Sequence, residues 1–463
     1  MQSKLLTSDL KSILEREPEQ LSEALSEVHA EDVAKLLSDA FTPEQAAQVM
    51  RHLPLEQAAD VLERLPEELR VQILEYWKPE TSAKLITEMA PDDRVDLVNE
   101  LPTSLRESIL SALRKTEPEV AEEVRVLGAY SEDTAGGIMT TEYLALGPGM
   151  SCEKAISEVR RLAREQKPEL IYSLYVVDAG RLVGVLSLRD LILGEPSAPI
   201  AIFMTENVVA VGPQTDQEEV ARTIAKYDIS AVPVVDAQGQ LLGVVTVDDV
   251  VDVVIEEANE DIQKGAGMEA LDMPYLNTSL ASLVKKRAGW LSALFIGEML
   301  TASAMGHYEN EIARAVVLAL FVPLIISSGG NSGSQAATLV IRAMALGEVK
   351  LGDYLRIMRR EFVAGLSLGL ILATIGAIRI LTWQAMFHTY GVHYVGVTVT
   401  VALSLVGVVL WGTLAGSMLP FLIRRLGFDP ASASAPFVAT LVDVSGLVIY
   451  FSVAQYVMRG TLL

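Results

Sequence analysis

The sequence contains a single cysteine, Cys152, among its 463 residues. One cysteine excludes an intramolecular disulfide framework and a thiolate metal site, and it fits a reducing compartment. The sequence also lacks a Walker loop, a metal-hydrolase motif and a paired nucleophile and base, so we do not expect an enzyme. No apolar run suited to a signal peptide occurs in the first thirty residues. We therefore expect the N-terminus to remain in the cytosol.

Basic residues are scarce in the N-terminal half. Residues 1–282 hold 24 Lys or Arg and 52 Asp or Glu, a net charge of −28, whereas residues 283–463 hold 13 and 8, a net charge of +5. The acidic half would repel a phosphate backbone, so nucleic acid is not an expected partner. Cations are the expected counterpart of this surface.

A short repeat occupies residues 20–115, where EQAA at 44–47 recurs at 56–59. Prolines follow one another every 11 to 13 residues, and proline is favoured in the first turn of a helix. These prolines are Pro43, Pro54, Pro66, Pro79, Pro91 and Pro102. Each short helix would bury an apolar stripe, such as Val61, Leu62 and Leu65, against its neighbours. The pattern predicts an α-superhelical N domain over residues 1–130.

A longer duplication follows, in which MTTEYLALGPGMS from Met139 is repeated as MTENVVAVGPQTD from Met204. The segment SLYVVDAGRLVGVLSLRDLI is likewise similar to AVPVVDAQGQLLGVVTVDDVV. Each copy predicts a strand, a helix, two apolar strands joined by a turn, and a second helix. This pattern resembles a tandem pair of cystathionine β-synthase (CBS) domains. The resemblance implies an α/β CBS pair at residues 131–200 and 201–254.

The remainder of the chain predicts a polar linking helix over residues 255–282 and an all-α transmembrane domain over residues 283–463. Five apolar stretches approach the roughly 20 residues that a bilayer core requires. They are 289–306, 312–328, 362–382, 395–420 and 434–457. A cytosolic N-terminus then puts the basic residues of 350–360 and 424–425 on the inside, as the positive-inside rule requires. We expect a multi-pass protein of the bacterial inner membrane with its C-terminus outside.

Asp443 is the most informative acid near the membrane, because it lies well within the fifth apolar stretch and has no basic residue nearby. A charge at that depth costs about 2.5 to 3.5 kcal/mol even on lenient insertion scales. Such a carboxylate should face a water-filled pathway or a bound cation. The alternative is a protonated or hydrogen-bonded acid in the helix core.

Two further features indicate a pore. Asp429 precedes Asp443 by fourteen residues, close to four helical turns, so one helix would carry both carboxylates and the small residue Ala439 on one face. In the second stretch, SSGGNSGSQ at 327–335 predicts a break in the helix, where Asn331 could offer an oxygen to a hydrated ion. Helix packing explains the small residues equally well, and a kink satisfied by its neighbours explains the break.

The segments GGNSGSQAATLVIRAMALGEV at 329–349 and LGFDPASASAPFVATLVDVSGLVIYF at 426–451 resemble signature segments of the MgtE magnesium channels. The order of parts is also similar to that family over essentially the whole chain. The resemblance implies a homodimer in the lipid bilayer, with a pore between the second and fifth spans of both subunits. It further implies that Asp443 forms the central ion-selecting pair, that Asp429 lies near the cytosolic mouth, and that the linking helix plugs the pore.

Magnesium also fits the residue types, since Mg²⁺ prefers octahedral oxygen coordination and dehydrates reluctantly. One or two carboxylates acting through retained waters would suit it, and no cysteine or histidine lies in the pore segments. Residue type alone leaves calcium, manganese and cobalt open.

Acids in the cytosolic half suggest how the channel closes. On one face of the helix that follows the second CBS copy, like charges recur at three or four residues, and each such pair destabilises a helix by about 0.2 to 0.5 kcal/mol. Bound Mg²⁺ would relieve that repulsion, whereas the alternative is an ordinary solvated acidic face. The predicted regulatory ligands are Asp92, Asp93, Asp96, Asp216, Glu218, Asp228, Asp249, Asp252, Glu256, Glu257, Glu260 and Asp261.

Because CBS pairs often bind adenine nucleotides, the resemblance also implies ATP as a modulator, with Tyr172, Arg189 and Asp190 as candidates. A local ion pair at a helix start explains Arg189 and Asp190 equally well. Two rival functions stay open for the whole chain. One is a CBS-regulated carrier with Asp443 as a proton or sodium relay, and the other is a membrane-anchored sensor without transport.

Overall fold

The computed structural model describes residues 7–165, 170–271, 275–276 and 278–460. The chain divides into two compact units between Ile255 and Glu256. The first unit contains a helical N domain and an α/β pair, and the second contains long apolar helices. The predicted fold class is therefore confirmed.

Short helices make up the described part of the N domain. They are α1 (Thr7–Arg16), α2 (Leu21–Leu25), α3 (Ala30–Ala40), α4 (Pro43–Arg51), α5 (Leu55–Glu63), α6 (Glu67–Glu75), α7 (Pro79–Thr87), α8 (Pro91–Glu100), α9 (Thr103–Thr116) and α10 (Pro118–Leu127). From α3 to α8 each helix contacts the second helix after it, which is the packing expected of a superhelix.

The repeated prolines start the helices, as predicted. Pro43, Pro79 and Pro91 occupy the first turn of their helices, where a missing N–H leaves no hydrogen bond unmade. The predicted apolar stripe is also buried, with Val61 and Leu62 fully inaccessible. A nine-residue helix is marginal alone, so this burial stabilises the repeat.

The α/β pair contains β1 (Leu144–Leu146), α11 (Cys152–Glu165), β2 (Ser173–Asp178), β3 (Arg181–Ser187), α12 (Leu188–Leu193), α13 (Gln217–Tyr227), β4 (Ala231–Val235), β5 (Leu241–Thr246) and α14 (Val247–Gly265). β2 pairs in parallel with β1 and antiparallel with β3, and β4 pairs antiparallel with β5. In the second copy a single parallel bridge, Val211 to Val234, takes the place of β1. The predicted element order is thus present in both copies.

The N domain and the second copy share one apolar core, which runs from Leu10 to Val250. The segment after α10 is also tied to the second copy by backbone hydrogen bonds. Ala135 N donates to Thr215 O at 2.7 Å, and Gly136 N donates to Pro213 O at 2.9 Å. These contacts hold α8 and the start of α14 within the same compact unit.

Helix α14 covers only part of the predicted linking segment 255–282. It begins earlier, at Val247, and it ends at Gly265. The chain then turns at Gly267, whose φ of +77° suits glycine and does not continue a helix. Residues 272–274 and 277 of the predicted segment lie outside the described residues.

The second unit contains α15 (Leu280–His307), α16 (Glu309–Arg314), α17 (Val316–Ala319), α18 (Val322–Ala345), α19 (Tyr354–Phe387), α20 (Tyr394–Arg425) and α21 (Ala435–Val457). Within the described residues, five stretches are long and apolar enough to cross a membrane. They are Leu280–His307, Val316–Ala345, Leu351–Phe387, Gly391–Arg425 and Ala435–Val457. Five spans match the predicted number.

The predicted break at 327–335 is wrong, because α18 continues through this segment without interruption. Its glycines serve close helix packing instead. A Cβ atom on Gly412 of α20 would lie 2.4 Å from Gly329 O, and one on Gly416 would lie 2.1 Å from Gly333 O. Small residues at four-residue spacing therefore bring the α18 and α20 backbones together.

We expect Gly416→Ala to destabilise the membrane domain by about 1–3 kcal/mol or more, because its Cβ would force α18 and α20 apart. Gly306→Ala is a matched control, since a Cβ on this helical glycine meets no atom within 4 Å. Thermal unfolding of the detergent-solubilised protein would measure both variants. Equal melting temperatures for the two would contradict the packing role.

Candidate ion pathway and regulatory acids

Asp443 lies in α21 at the contact between α21 and α18. A Cβ atom on Gly330 of α18 would lie 3.8 Å from Asp443 Oδ1 and 3.6 Å from the Cβ of Ala439. Asn331, the next residue of α18, is exposed, and its Nδ2 donates to Ser327 Oγ at 3.4 Å. The structure therefore brings the predicted pore residues Asp443, Ala439 and Asn331 to one helix junction.

A second carboxyl group lies beside Asp443 and was not predicted. Glu298 of α15 lies close enough to Asp443 for the two carboxyl groups to influence each other. The sequence could have indicated Glu298 as a candidate, since it is the only charged residue between Arg287 and Glu309. An isolated acid in an apolar span is a functional candidate by default.

Asp429 does not share a helix with Asp443, so the predicted common face is wrong. It precedes a 3-10 turn at Pro430–Ser432, and its Oδ1 accepts a hydrogen bond from Ala431 N at 2.8 Å. Helix α21 begins only at Ala435, with the Ser434 side chain capping it. The extended backbone of Asp429 and Ser434 interrupts the helical path.

Lys264, which was not predicted, neutralises Asp429. Its Nζ donates to Asp429 Oδ2 at 2.8 Å and to Glu260 Oε1 at 2.5 Å. Partial burial disfavours the ammonium charge, but these two carboxylates outweigh it and raise the pKa of Lys264. For the neighbouring Asp261, burial first and the Asp429 charge second raise the pKa of the carboxyl.

The chain after α14 also packs against the start of α21. Trp290 Nε1 of α15 donates to the Ser434 Oγ at 3.2 Å, and Ser434 caps α21. A Cβ on Gly267 would lie 2.8 Å from the Trp290 ring and 3.2 Å from Pro436. The end of α14 is therefore held next to the beginning of the Asp443 helix by an ion pair and by close packing.

The predicted regulatory acids Asp93, Asp249 and Asp252 act on one another within the first unit. Burial first, and then the charges of Asp248 and Asp252, raise the pKa of Asp93, although Arg70 and Arg64 lower it. Burial, with smaller contributions from Asp248 and Asp93, raises the pKa of Asp249 to about 6. Helix α8 and the start of α14 thus face each other with like charges.

Two neighbouring acids extend this region and were not predicted. Burial raises the pKa of Glu100 to about 7 even though Arg70 Nη2 donates to its carboxylate at 2.5 Å. Glu132 contributes to that shift and accepts a hydrogen bond from Asn99 Nδ2 at 3.2 Å. Their sequence neighbourhood is acidic throughout, so no local signal separates them from the solvated acids.

Other predicted regulatory residues have local roles. Asp216 caps α13 by accepting from Glu218 N at 3.0 Å, and Glu218 pairs with Arg222. Asp228 ends α13 with a φ of +52°, a conformation that aspartate tolerates better than most residues. All three therefore support the fold of the second copy.

The remaining predicted residues divide between the two units. Asp92 is buried in the first turn of α8, and Asp96 is exposed on the same helix. Glu256, Glu257, Glu260 and Asp261 lie on the part of α14 that belongs to the second unit. In the described part of the chain, no three or more His, Cys, Asp or Glu side chains gather as a metal site. A hydrated Mg²⁺ does not require direct contacts that close, because it retains several waters.

A small cleft between the two copies lies next to one nucleotide candidate, since Leu170 and Ser173, which are close to Tyr172 in the chain, line it. That cleft is lined by residues that include Thr140, Tyr175 and Thr246, and its volume is about 10 Å³, the size of a water site. Tyr172 is 64 % exposed, and the Asp190 carboxylate accepts from Ser187 Oγ at 2.6 Å. ATP binding through Tyr172, Arg189 and Asp190 stays a prediction.

Asp249→Asn should stabilise the first unit at neutral pH. Since the pKa of Asp249 is raised from its usual 3.8 to about 6, the stability that the protonated acid provides is present below pH 4 and lost as the pH rises through 6. We expect the variant to gain about 1–3 kcal/mol at pH 7.5 without divalent cations and little at pH 4.

Urea unfolding of residues 1–271 at both pH values would measure this gain, with the exposed Glu107→Gln as control. Added Mg²⁺ should narrow the difference between the variant and the unchanged chain, because it stabilises the ionised Asp249. A gain of the same size at pH 4 and pH 7.5 would contradict the assignment.

Three family profiles match successive parts of the chain. The profile described as the MgtE intracellular N domain matches residues 13–133, and the CBS domain profile matches residues 135–194 and 200–256. The profile of the MgtE divalent cation transporter matches residues 322–453. The last match covers both α18 and most of α21, where Asn331, Ala439 and Asp443 lie.

Individual proteins support the same grouping. The magnesium transporter MgtE of Thermus thermophilus is 44 % identical over 345 residues, which is 74 % of each chain. The solved soluble part of a magnesium transporter is 34 % identical, with a TM-score of 0.50 over 54 % of this chain and 98 % of that chain. The cytosolic domain of the Mg²⁺ channel MgtE, solved in complex with ATP, is 40 % identical, with a TM-score of 0.46 over 54 % of this chain and 100 % of that chain. By its 44 % identity with the Thermus thermophilus transporter over 74 % of each chain, the chain belongs to the MgtE family of divalent cation transporters.

Proposed function

We propose that the chain conducts Mg²⁺ across the cell membrane and that cytosolic Mg²⁺ closes it. The observation that carries the proposal is the position of the Asp443 carboxylate at the junction of α18 and α21, opposite Gly330. Family membership and the magnesium transporter named among its relatives support the choice of ion.

Mg²⁺ holds its water shell tightly and is bound through few carboxylates. In a homodimer with the pore on the twofold axis, each subunit would contribute one Asp443. A Cβ at Gly330 would be in van der Waals contact with Ala439 and with Asp443 Oδ1, so glycine keeps this side of the carboxylate free of a side chain. Asn331 is exposed on the next position of α18 and would offer its amide oxygen to the waters of that ion.

Closure would arise from the like charges of α8 and the start of α14. Bound Mg²⁺ stabilises the arrangement in which Asp93, Asp249 and Asp252 lie close together. Ion binding can shift the equilibrium only by its difference in affinity for the closed and open arrangements. Helix α14 carries Asp249 and Asp252 near its start and Lys264 near its end, so one element contains both the proposed regulatory acids and the partner of Asp429.

A multi-pass inner-membrane location with a cytosolic N-terminus and an outside C-terminus is part of this proposal, as is ATP as a modulator. The five apolar helices support the location. We still do not expect nucleic acid to be a partner, because residues 1–282 carry a net charge of −28.

Asp443→Asn should reduce Mg²⁺ flux into liposomes that contain the purified protein by about tenfold or more, because it removes the charge that attracts the hydrated ion. Glu348→Gln, an exposed acid in the loop after α18, is the matched control and should leave the flux unchanged. Flux that follows the proton gradient would favour the carrier, and the absence of flux from the unchanged chain would favour the sensor.

Combining Asp93→Asn, Asp249→Asn and Asp252→Asn should reduce the dependence of closure on cytosolic Mg²⁺ by about tenfold, within the usual range of coupling between sites, because the variant lacks both the carboxylates that would bind the ion and the repulsion that it would relieve. Patch recordings with stepped Mg²⁺ on the cytosolic face would measure it. The control is Glu122→Gln, an exposed acid paired with Arg125. If the triple variant closes in response to Mg²⁺ as the unchanged protein does, these acids do not take part in closure.

A further inference from the structure

A cleft of about 480 Å³ lies at the end of α19 and is unrelated to the proposed ion pathway. Its walls come from the end of α19, the loop that follows it, and the residues just before α18. Most of the lining is aromatic or apolar, and Arg379 is its only charged residue. A mostly apolar cleft with one well-placed charge is the usual form of a small-molecule site.

The Arg379 guanidinium is oriented but not neutralised. Its central carbon lies 3.7 Å from the centre of the Trp383 ring, a cation–π contact. Its Nη1 donates to Tyr390 Oη at 3.2 Å. A guanidinium has five N–H donors, and in the described part of the chain no carboxylate forms an ion pair with Arg379. Most of its donors are therefore available to an anion in the cleft.

Arg379 also lies at the depth where phosphate groups are found. The segment 362–378, immediately before Arg379, contains 17 uncharged residues and is about 25 Å long as a helix, close to the thickness of the hydrocarbon layer. Charged residues flank this segment at both ends, with Glu361 on the other side. Trp383 and Tyr390 follow Arg379, as expected for the aromatic belt of a membrane interface.

The cleft is preformed by hydrogen bonds to the loop after α19. Gln384 Nε2 donates to Gly391 O at 3.2 Å, and Tyr390 N donates to Gln384 Oε1 at 2.8 Å. The Tyr390 ring packs against Phe321, with 5.8 Å between the ring centres. The hydrogen bond to Gln384 and the ring contact with Phe321 together fix the position of Tyr390, whose hydroxyl accepts the hydrogen bond from Arg379.

We propose that this cleft binds the phosphate of an anionic phospholipid headgroup. The planar guanidinium can donate two parallel hydrogen bonds to a phosphate, which an ammonium cannot do. Leu320 and Phe387 border the cleft and are 67 % and 61 % exposed, so they would contact the glycerol and the first acyl carbons. Free inorganic phosphate shares the anionic chemistry but would leave these apolar surfaces uncovered.

The test measures phosphatidylglycerol bound to the purified full-length protein in mixed micelles, by native mass spectrometry over a lipid titration. We expect Arg379→Gln to weaken binding about tenfold, as loss of hydrogen bonds to a charged group does. Tyr390→Phe should weaken it less, since only the orienting hydroxyl is lost. Arg425→Gln, an exposed cation at the end of α20, is the matched control and should bind as the unchanged protein does.

Competition with inorganic phosphate separates the two sources of the anion. Lipid retention that millimolar phosphate does not reduce supports the headgroup, whereas displacement by phosphate overturns it. Unweakened lipid binding by Arg379→Gln overturns the site itself. Size-exclusion chromatography checks that each variant folds. If Arg379→Gln does not fold, Arg379→Lys replaces it. Weakened lipid binding by Arg379→Lys would then support the two parallel hydrogen bonds from the guanidinium, and unweakened binding would overturn them. Mg²⁺ flux is not used as a readout, so failure here is independent of the proposed transport.

Discussion

Close contact of α18 with its neighbours fixes the position of the carboxylate on which the proposed ion pathway depends. Gly329 and Gly333 let the α20 backbone approach, and Gly330 faces Ala439 and Asp443 without a side chain. Short polar side chains of α18 also find partners within the protein, as hydrocarbon requires. The Ser332 and Thr413 hydroxyls lie 2.6 Å apart, and Ser334 Oγ donates to Ala435 O at 3.0 Å. The same short side chains that allow close packing therefore also link α18 to α20 and α21.

In the acidic half, packing brings carboxylates close together, so electrostatic repulsion between them opposes the fold. Hydrophobic burial joins the N domain and the second copy in one core, and this core holds Asp93 of α8 close to the acids at the start of α14. Burial first, and the charges of the neighbouring acids second, raise the pKa of Asp93 and of Asp249. A fold that buries like charges next to one another is stabilised by any cation that binds there, which couples its stability to ion concentration.

Patterns that repeat along the chain were sufficient to predict the proline-started helices, the two α/β copies and the five apolar helices, because period and length are properties of the sequence. Asp443 could be singled out as a candidate for a similar reason, since a charge within an apolar stretch is energetically costly wherever it lies, and its role in ion binding stays a prediction. The sequence did not reveal that glycines in α18 serve packing, because glycine weakens a helix and also permits close approach. The contact with α20 shows that these glycines of α18 permit close approach of the two helices.

Contacts between distant residues were the least predictable. Asp429 is fourteen residues from Asp443, and the helical spacing was misleading because the chain is extended at Asp429 and Ser434. Its ion pair with Lys264 joins residues 165 positions apart, and Glu298 meets Asp443 across two different helices. Nothing in the local sequence specifies such pairs, since they depend on how long helices cross.

The Lys264 ion pair has a consequence for a cell that is depleted of magnesium. The Lys264 ammonium is part of the chain, so its effective concentration near Asp429 does not depend on the ions dissolved in the cytosol. The concentration of a dissolved cation near Asp429 does depend on them. Depletion of Mg²⁺ therefore leaves the attraction between the end of α14 and the residues before α21 in place. This part of the second unit needs no dissolved cation to keep Asp429 paired.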